Sequence, residues 1–316
     1  MAPKFGTSGL RGLVVELTDG LVAGYTRAFL AAVPHGGRLL IGRDLRPSSG
    51  RIAAAVAAAA AEAGVTPVDC GELPTPALAL AAMSAGSPSV MVTGSHIPAD
   101  RNGLKFYTAT GEITKADESA ILAAYGGEVV APPFRPRRDD DALPAYHDRY
   151  LAAFGPAALK GLSIGVYEHS SVARDLIVAL LGDLGARVVR LGRSDVFVPV
   201  DTEAVSSATR TQLARWAAEH PLDAIVSTDG DADRPLVADS TGRVIPGDVI
   251  GTLTARALGA GAVVTPVSSN TMIEATGGFG LVLRTRVGSP YVIAGMDEAV
   301  KQGHRTVGFE ANGGFL

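Results

Sequence analysis

Asp229-Gly230-Asp231-Ala232-Asp233-Arg234 sets three carboxylates at alternate positions with small residues between them. Their oxygens can turn onto one point. That suits a hard divalent cation such as Mg2+, which takes oxygen ligands and is often completed by a phosphate. The apolar run Leu222 to Val226 just before it predicts a buried strand, so the loop falls at a strand's carboxyl end, where open α/β sheets bind ligands. Arg234 could pair with the carboxylates or hold a phosphate oxygen. A solvated acidic turn is the alternative reading. A calcium EF-hand is excluded, because its glycine and glutamate positions hold Arg234 and Ser240.

A second constellation runs from Val90 to Lys105. An apolar strand ends at Thr93, and Gly94 lets the backbone turn to present Ser95 with His96 beside it. Asn102-Gly103 predicts a tight turn that returns the chain toward Ser95, with Lys105 shortly after. A loop serine flanked by cations can carry a phosphoryl group; an ordinary polar hairpin remains the alternative. A Ser-His hydrolase fits poorly, since neighbours on a strand point to opposite sides and Gly-x-Ser-x-Gly is absent. Arg43, between the strand at Leu39–Gly42 and a helix opened by Pro47, could approach a phosphate or form a salt bridge with Asp44 or another acid.

Thr93-Gly94-Ser95-His96-Ile97-Pro98 with Asn102-Gly103-Leu104-Lys105 resembles the phosphoserine loop of the α-D-phosphohexomutases, the phosphomannomutase/phosphoglucomutase type. Asp229 to Arg234 resembles that family's magnesium loop, Phe5 to Gly12 its opening motif, and Gly308 to Gly314 its sugar-binding loop. The four stand in the family's order and span nearly the whole chain.

The resemblance implies an isomerase acting by intramolecular phosphoryl transfer. The activity implied is interconversion of mannose 6-phosphate and mannose 1-phosphate through a bisphosphorylated sugar, with glucose or glucosamine phosphate as the alternative substrates. Ser95 would carry the phosphate, and Asp229, Asp231 and Asp233 would hold Mg2+ against it. Arg11 and Lys105 would form the acid–base pair at the sugar hydroxyl, a lysine base needing a depressed pKa. His96 and Arg234 would add phosphate charge and loop geometry, and Glu310 and Asn312 would contact sugar hydroxyls. The chain departs from the family at Ser289, where many members have histidine, at Val267-Ser268-Ser269-Asn270, and at Asn312, where serine is usual. A haloacid-dehalogenase-type phosphatase is disfavoured, since Gly9-Leu10-Arg11-Gly12 stands where its Asp-x-Asp pair would be. A non-catalytic sugar-phosphate sensor is disfavoured by the intact Ser95 and aspartates.

These groups need repeated α/β units to position them. Helix, glycine, short apolar strand and glycine recur around Gly64–Gly71, Gly185–Gly192 and, more loosely, Gly280–Gly288. The expected fold is α/β with mixed sheets, in units of residues 1–136 with the phosphoserine loop, 137–246 with the metal loop and 247–316 with the sugar loop. Charged, proline-bearing Pro132–Asp141 is the expected first linker. The chain's end at Phe315-Leu316 predicts an incomplete third unit and the lack of a fourth domain that clamps the distal phosphate in family members.

Lys+Arg 28 against Asp+Glu 32 gives no basic bias toward nucleic acid. The one cysteine, Cys70, excludes an internal disulfide and fits a reducing compartment. Met1-Ala2-Pro3-Lys4 has no apolar signal segment, and Ala53–Ala63 is too short and too weakly apolar for a membrane span. The composition is that expected of a cytoplasmic enzyme whose partners are sugar phosphates.

Overall fold

The structure, a computed structural model, describes residues 3–6 and 9–316. Thr7 and Ser8 of the opening motif lie outside the described residues. The first sheet contains β1 (Lys4–Phe5), β2 (Gly9–Leu13), β3 (Arg38–Arg43), β4 (Thr66–Glu72), β5 (Ser89–Val92), β6 (Arg101–Thr108), β7 (Gly111–Glu112) and β8 (Arg137–Arg138). Its order is β1-β2-β6-β5-β3-β4-β8, with β7 beside β6. Strands β3, β4 and β5 are parallel, whereas β5–β6 and β6–β2 are antiparallel.

Helices α1 (Asp19–Ala32), α2 (Ser49–Glu62) and α4 (Lys115–Ala124) cover one face of this sheet, and α3 (Thr75–Ser84) and α5 (Ala142–Phe154) the other. The near-continuous alanines of α2 carry little bulk, so it packs closely on α1 while Ile52 and Val56 reach the sheet. The chain leaves β3 to one face through α2 and returns to β5 from the other through α3. The carboxyl ends of β3 and β5 therefore flank a switch point, where a crevice opens.

The second sheet, ordered β10-β9-β11-β12-β13, is built from β9 (Ser163–His169), β10 (Arg187–Arg193), β11 (Ala224–Thr228), β12 (Pro235–Asp239) and β13 (Val244–Ile245), with α6 (Arg174–Asp183) and α7 (Ser207–Glu219). Strands β11 and β12 form an antiparallel hairpin whose connection is the acidic loop. The third sheet is parallel, β15-β14-β16, from β14 (Ala262–Pro266), β15 (Leu281–Thr285) and β16 (Thr306–Gly308), packed by α8 (Gly247–Ala257), α9 (Met272–Ala275) and α10 (Ser289–Lys301). The anticipated helix–glycine–strand phrase recurs as α2–β4, α6–β10 and α9–β15. Among the described residues no helix is long and apolar enough to cross a membrane.

Two sequence readings change here. Strand β8 pairs with β4, so the first sheet reaches two residues past the expected boundary at 136. Asn102-Gly103 is not a turn but lies inside β6. A Cβ on Gly103 would meet the Leu10 carbonyl oxygen at 2.4 Å, so the glycine is required by close approach to β2. The Asn102 amide is tied to Ser48 and Ser49 instead of closing a turn.

Candidate active site and metal centre

Ser95 follows β5 in a left-handed conformation, φ 52°, which is costly for a residue with a side chain. Its neighbours fix it there. The Ser95 N–H donates to Thr93 Oγ1 at 2.8 Å, and its carbonyl accepts from Arg46 Nη2 at 2.9 Å. Arg46 also donates to the carbonyls of Ile97, Pro98 and Arg101, at 2.5, 2.7 and 2.9 Å. The same guanidinium is paired with buried Asp44 at 3.2 Å, and Asp44 accepts from Thr93 Oγ1 and the Gly94 N–H. Gly94 permits this close packing, because a Cβ there would lie 2.6 Å from Arg46 Cζ. Arg46 and Asp44 thus hold the Ser95 loop, a role local spacing did not reveal.

The acidic loop closes the β11–β12 hairpin, with Ala232 also left-handed at φ 58°. The loop after β9 braces it: Val172 N–H donates to the Gly230 carbonyl at 3.0 Å, and His169 Nε2 donates to the Thr228 carbonyl at 2.9 Å. Burial pushes the His169 imidazole down to about 4, from an ordinary 6.5. The unfolded chain therefore takes up this proton first as pH falls. The neutral form's stabilising share is complete above about pH 6.5 and is lost toward pH 4, a linkage of about 3 kcal/mol. Urea unfolding at pH 7 and pH 4.5 should show the parent losing more stability than His169→Gln; parallel losses would refute the assignment.

The two loops meet across the first and second units. Ser95 Oγ donates to Asp229 Oδ2 at 2.5 Å. Asp231 Oδ2 accepts from Thr75 Oγ1 and Lys105 Nζ, both at 2.6 Å, and the Asp231 carbonyl accepts from the Thr75 N–H at 2.9 Å. Lys105 also pairs with Asp233. Asp229, Asp231 and Asp233 each offer an oxygen, all within 4.8 Å of one another. Asp231 Oδ1 and Asp233 Oδ1 are buried with no hydrogen-bond partner among the described residues. Burial, then Asp231 and Asp233, raise the Asp229 carboxyl well above its usual range. Orphaned oxygens and a carboxyl crowded by like charge fit a divalent cation, which would relieve both.

Lys105 differs from the sequence expectation of a depressed pKa. Burial lowers it, but Asp231 and then Asp233 more than offset this and raise it above the ordinary lysine value. Depression falls instead on Arg11, lowered by burial and then by Arg234. Burial and Arg234 likewise lower His96, whose Nδ1 lies 3.1 Å from Arg234 Nη1 and so accepts from it.

A cleft of about 500 Å³ opens over these loops. Arg11, His96, Asp233 and Arg234 line it together with Ser289, Glu310 and Asn312 of the third unit. Glu310 Oε1 accepts from the Gly288 N–H at 3.2 Å, and Asn312 Oδ1 from the Gly314 N–H at 2.9 Å. Thr202 Oγ1 donates to the Asn312 carbonyl at 2.7 Å, tying the Gly308–Gly314 loop to the second unit. Ser289 donates to Glu112 Oε2 at 2.6 Å, linking the third unit to the first. Tyr107, Glu112, Asp201 and Glu203 also line the cleft and went unnoticed in the sequence. Tyr107 had a usable signal, since it lies two residues beyond Lys105 on one strand face.

Arg43 follows the salt-bridge alternative of the sequence reading. Arg43 does not reach the cleft; its guanidinium is held by Asp69 at 3.0 Å and faces Glu72 at 3.7 Å. Residues Val267 to Asn270, where the chain departs from the family, are not among those that line the cleft; Arg284 holds the carbonyls of Pro266, Ser269 and Asn270 and Asp248 the Asn270 N–H.

Comparison with known proteins agrees with this arrangement. The family descriptions "Phosphoglucomutase/phosphomannomutase, alpha/beta/alpha domain" I, II and III match residues 2–128, 145–242 and 246–316. The chain is 53% identical, over its full length, to a phosphomannomutase of Sinorhizobium fredii, covering 69% of that protein. It is 47% identical over 99% of its length to a phosphomannomutase of Salmonella muenchen, covering 66% of that one. A phosphoglucosamine mutase of Parafrankia is 33% identical over 99% of the chain and 75% of that protein. A phosphoglucomutase/phosphomannomutase family protein from Burkholderia thailandensis shares the fold, with a TM-score of 0.80 at 22% identity, over 98% of this chain and 71% of that one. The chain thus spans about two thirds of the length of the phosphomannomutases it matches, and it belongs to the phosphoglucomutase/phosphomannomutase family.

Proposed function

We propose that the protein is a phosphomannomutase that interconverts mannose 6-phosphate and mannose 1-phosphate, with Ser95 as phosphoryl carrier and Asp229, Asp231 and Asp233 as ligands of Mg2+. The observation that carries this reading is the Ser95–Asp229 contact at 2.5 Å, which sets a nucleophilic hydroxyl against the acidic triad. The names of the two nearer relatives favour mannose over glucose or glucosamine. The cleft's volume falls in the ordinary range for small-molecule sites. The lone, buried Cys70 fits a cytoplasmic enzyme.

A divalent cation at the triad supplies charge that offsets the phosphoryl oxygens. The chain's own residues do the rest by positioning. The Ser95 Oγ–P bond breaks as a bond forms from phosphorus to a sugar hydroxyl oxygen, and the hydroxyl proton leaves. Arg11 and Lys105 are the groups we assign to that proton. Lys105 is an ammonium while Asp231 and Asp233 hold it, so a base role requires those carboxylates to be engaged elsewhere. Arg234 and His96 place positive charge and a hydrogen-bonding ring beside Ser95. The bisphosphorylated sugar then turns, and its other phosphate returns to Ser95.

Turnover of mannose 1-phosphate, glucose 1-phosphate and glucosamine 1-phosphate tests the substrate assignment; a clear preference for either of the last two would refute it. Glu310→Gln and Asn312→Ala each remove a polar contact that the third unit offers to the cleft. The expected cost is ~1–3 kcal/mol, or about 5- to 150-fold in kcat/KM. Ser95 should still carry phosphate in both variants. Unchanged kcat/KM for all three sugars would remove these residues from the binding site.

A further inference from the structure

Phe197 belongs to neither catalytic loop, yet it stacks on the arginine that holds one and packs against the other. It lies on the segment between β10 and α7 and is 7% exposed. One face of its ring lies under the Arg46 guanidinium, 4.1 Å from centroid to Cζ. Arg46 is the group that holds the carbonyls of Ser95, Ile97 and Pro98. The ring's edge closes on the metal loop: a Cβ on Gly230 would stand 3.2 Å from both Cε2 and Cζ of Phe197, and 2.8 Å from the Ser95 carbonyl oxygen. The ring is anchored from its own unit as well. The adjacent Val198 N–H donates to Ser170 Oγ at 2.8 Å, in the loop after β9 that also holds the Gly230 carbonyl.

We propose that Phe197 is a positioning residue that sets the spacing between the Ser95 loop and the Asp229–Asp233 loop. This rests on the functional reading above. A close-packed aromatic ring transmits displacement because it cannot be compressed. Its flat face also orients a guanidinium in a way an aliphatic side chain cannot. Leucine at this position would keep apolar bulk but lose the face toward Arg46 and the edge toward Gly230. The carboxylates within the metal loop would stay together, while their relation to Ser95 would loosen.

The test compares the parent with Phe197→Leu and with Val205→Ala, a cavity-forming change in the second unit's core. Phe197→Leu should lower kcat by about 10- to 100-fold, the scale of a small misplacement of reacting groups, with KM changed by less than about twofold. Val205→Ala should lose comparable thermal stability with kcat retained. A readout independent of turnover is the 31P resonance of phosphorylated Ser95 as Mg2+ is added: a shift in the parent, and a diminished shift in Phe197→Leu. If kcat and the 31P shift of Phe197→Leu match the parent, or if Val205→Ala loses kcat equally, the inference falls alone. If the parent carries no phosphate on Ser95, the functional reading and this inference fall together.

Discussion

Ser95→Ala should abolish mutase turnover and remove the one phosphoryl group from the intact mass of the purified protein. Deleting a covalent nucleophile costs on the order of 10⁴- to 10⁶-fold, because the remaining groups still bind substrate but have nothing to transfer through. Among the described residues, the site's two threonine hydroxyls do not replace it. Thr93 Oγ1 is committed to Asp44, and Thr75 Oγ1 to Asp231. Stability should change little, since the loop's backbone is held by Arg46 and not by the serine hydroxyl. Retained turnover in Ser95→Ala, with phosphate found on His96 or another serine, would refute the assignment.

Asp231→Asn carries the second large effect. Asp231 is fully buried, with one oxygen bonded to Thr75 and Lys105 and the other orphaned. The amide removes a charge from the triad and weakens an ion pair while nearly preserving shape. A loss of about 10²- to 10³-fold in kcat is expected, the scale of removing one preorganised electrostatic contact from a transition state. Weaker Mg2+ binding should accompany it, read by calorimetry on the free protein, with circular dichroism unchanged. Near-parental turnover across a magnesium titration would overturn the role.

What the sequence revealed and what it hid divide along one physical line. The acidic loop, the Ser95 loop and the helix–glycine–strand phrase are local patterns, and each lies where strand periodicity and turn chemistry place it. Contacts between segments distant in sequence, within a unit or between units, leave no such pattern. Nothing in the spacing of Arg43, Asp44 and Arg46 says that the first faces Asp69 while the last threads under Ser95. Asn102-Gly103 matches a turn in composition, yet β2 needs a residue without a side chain beside Leu10 and draws the pair into a strand. The Lys105 pKa escapes the sequence for the same reason: the two aspartates that raise it come from another unit.

The Ser95–Asp229 contact joins residues 134 positions apart, on units that each have their own core. During synthesis the first unit can fold before the acidic loop has left the ribosome. At ordinary elongation rates the interval is on the order of ten seconds. Throughout it the serine lacks its carboxylate partner, so on the proposed function the nascent chain cannot yet transfer phosphate. On that function, activity arises only when the second unit docks, which would make its acquisition a reporter of inter-domain assembly during translation.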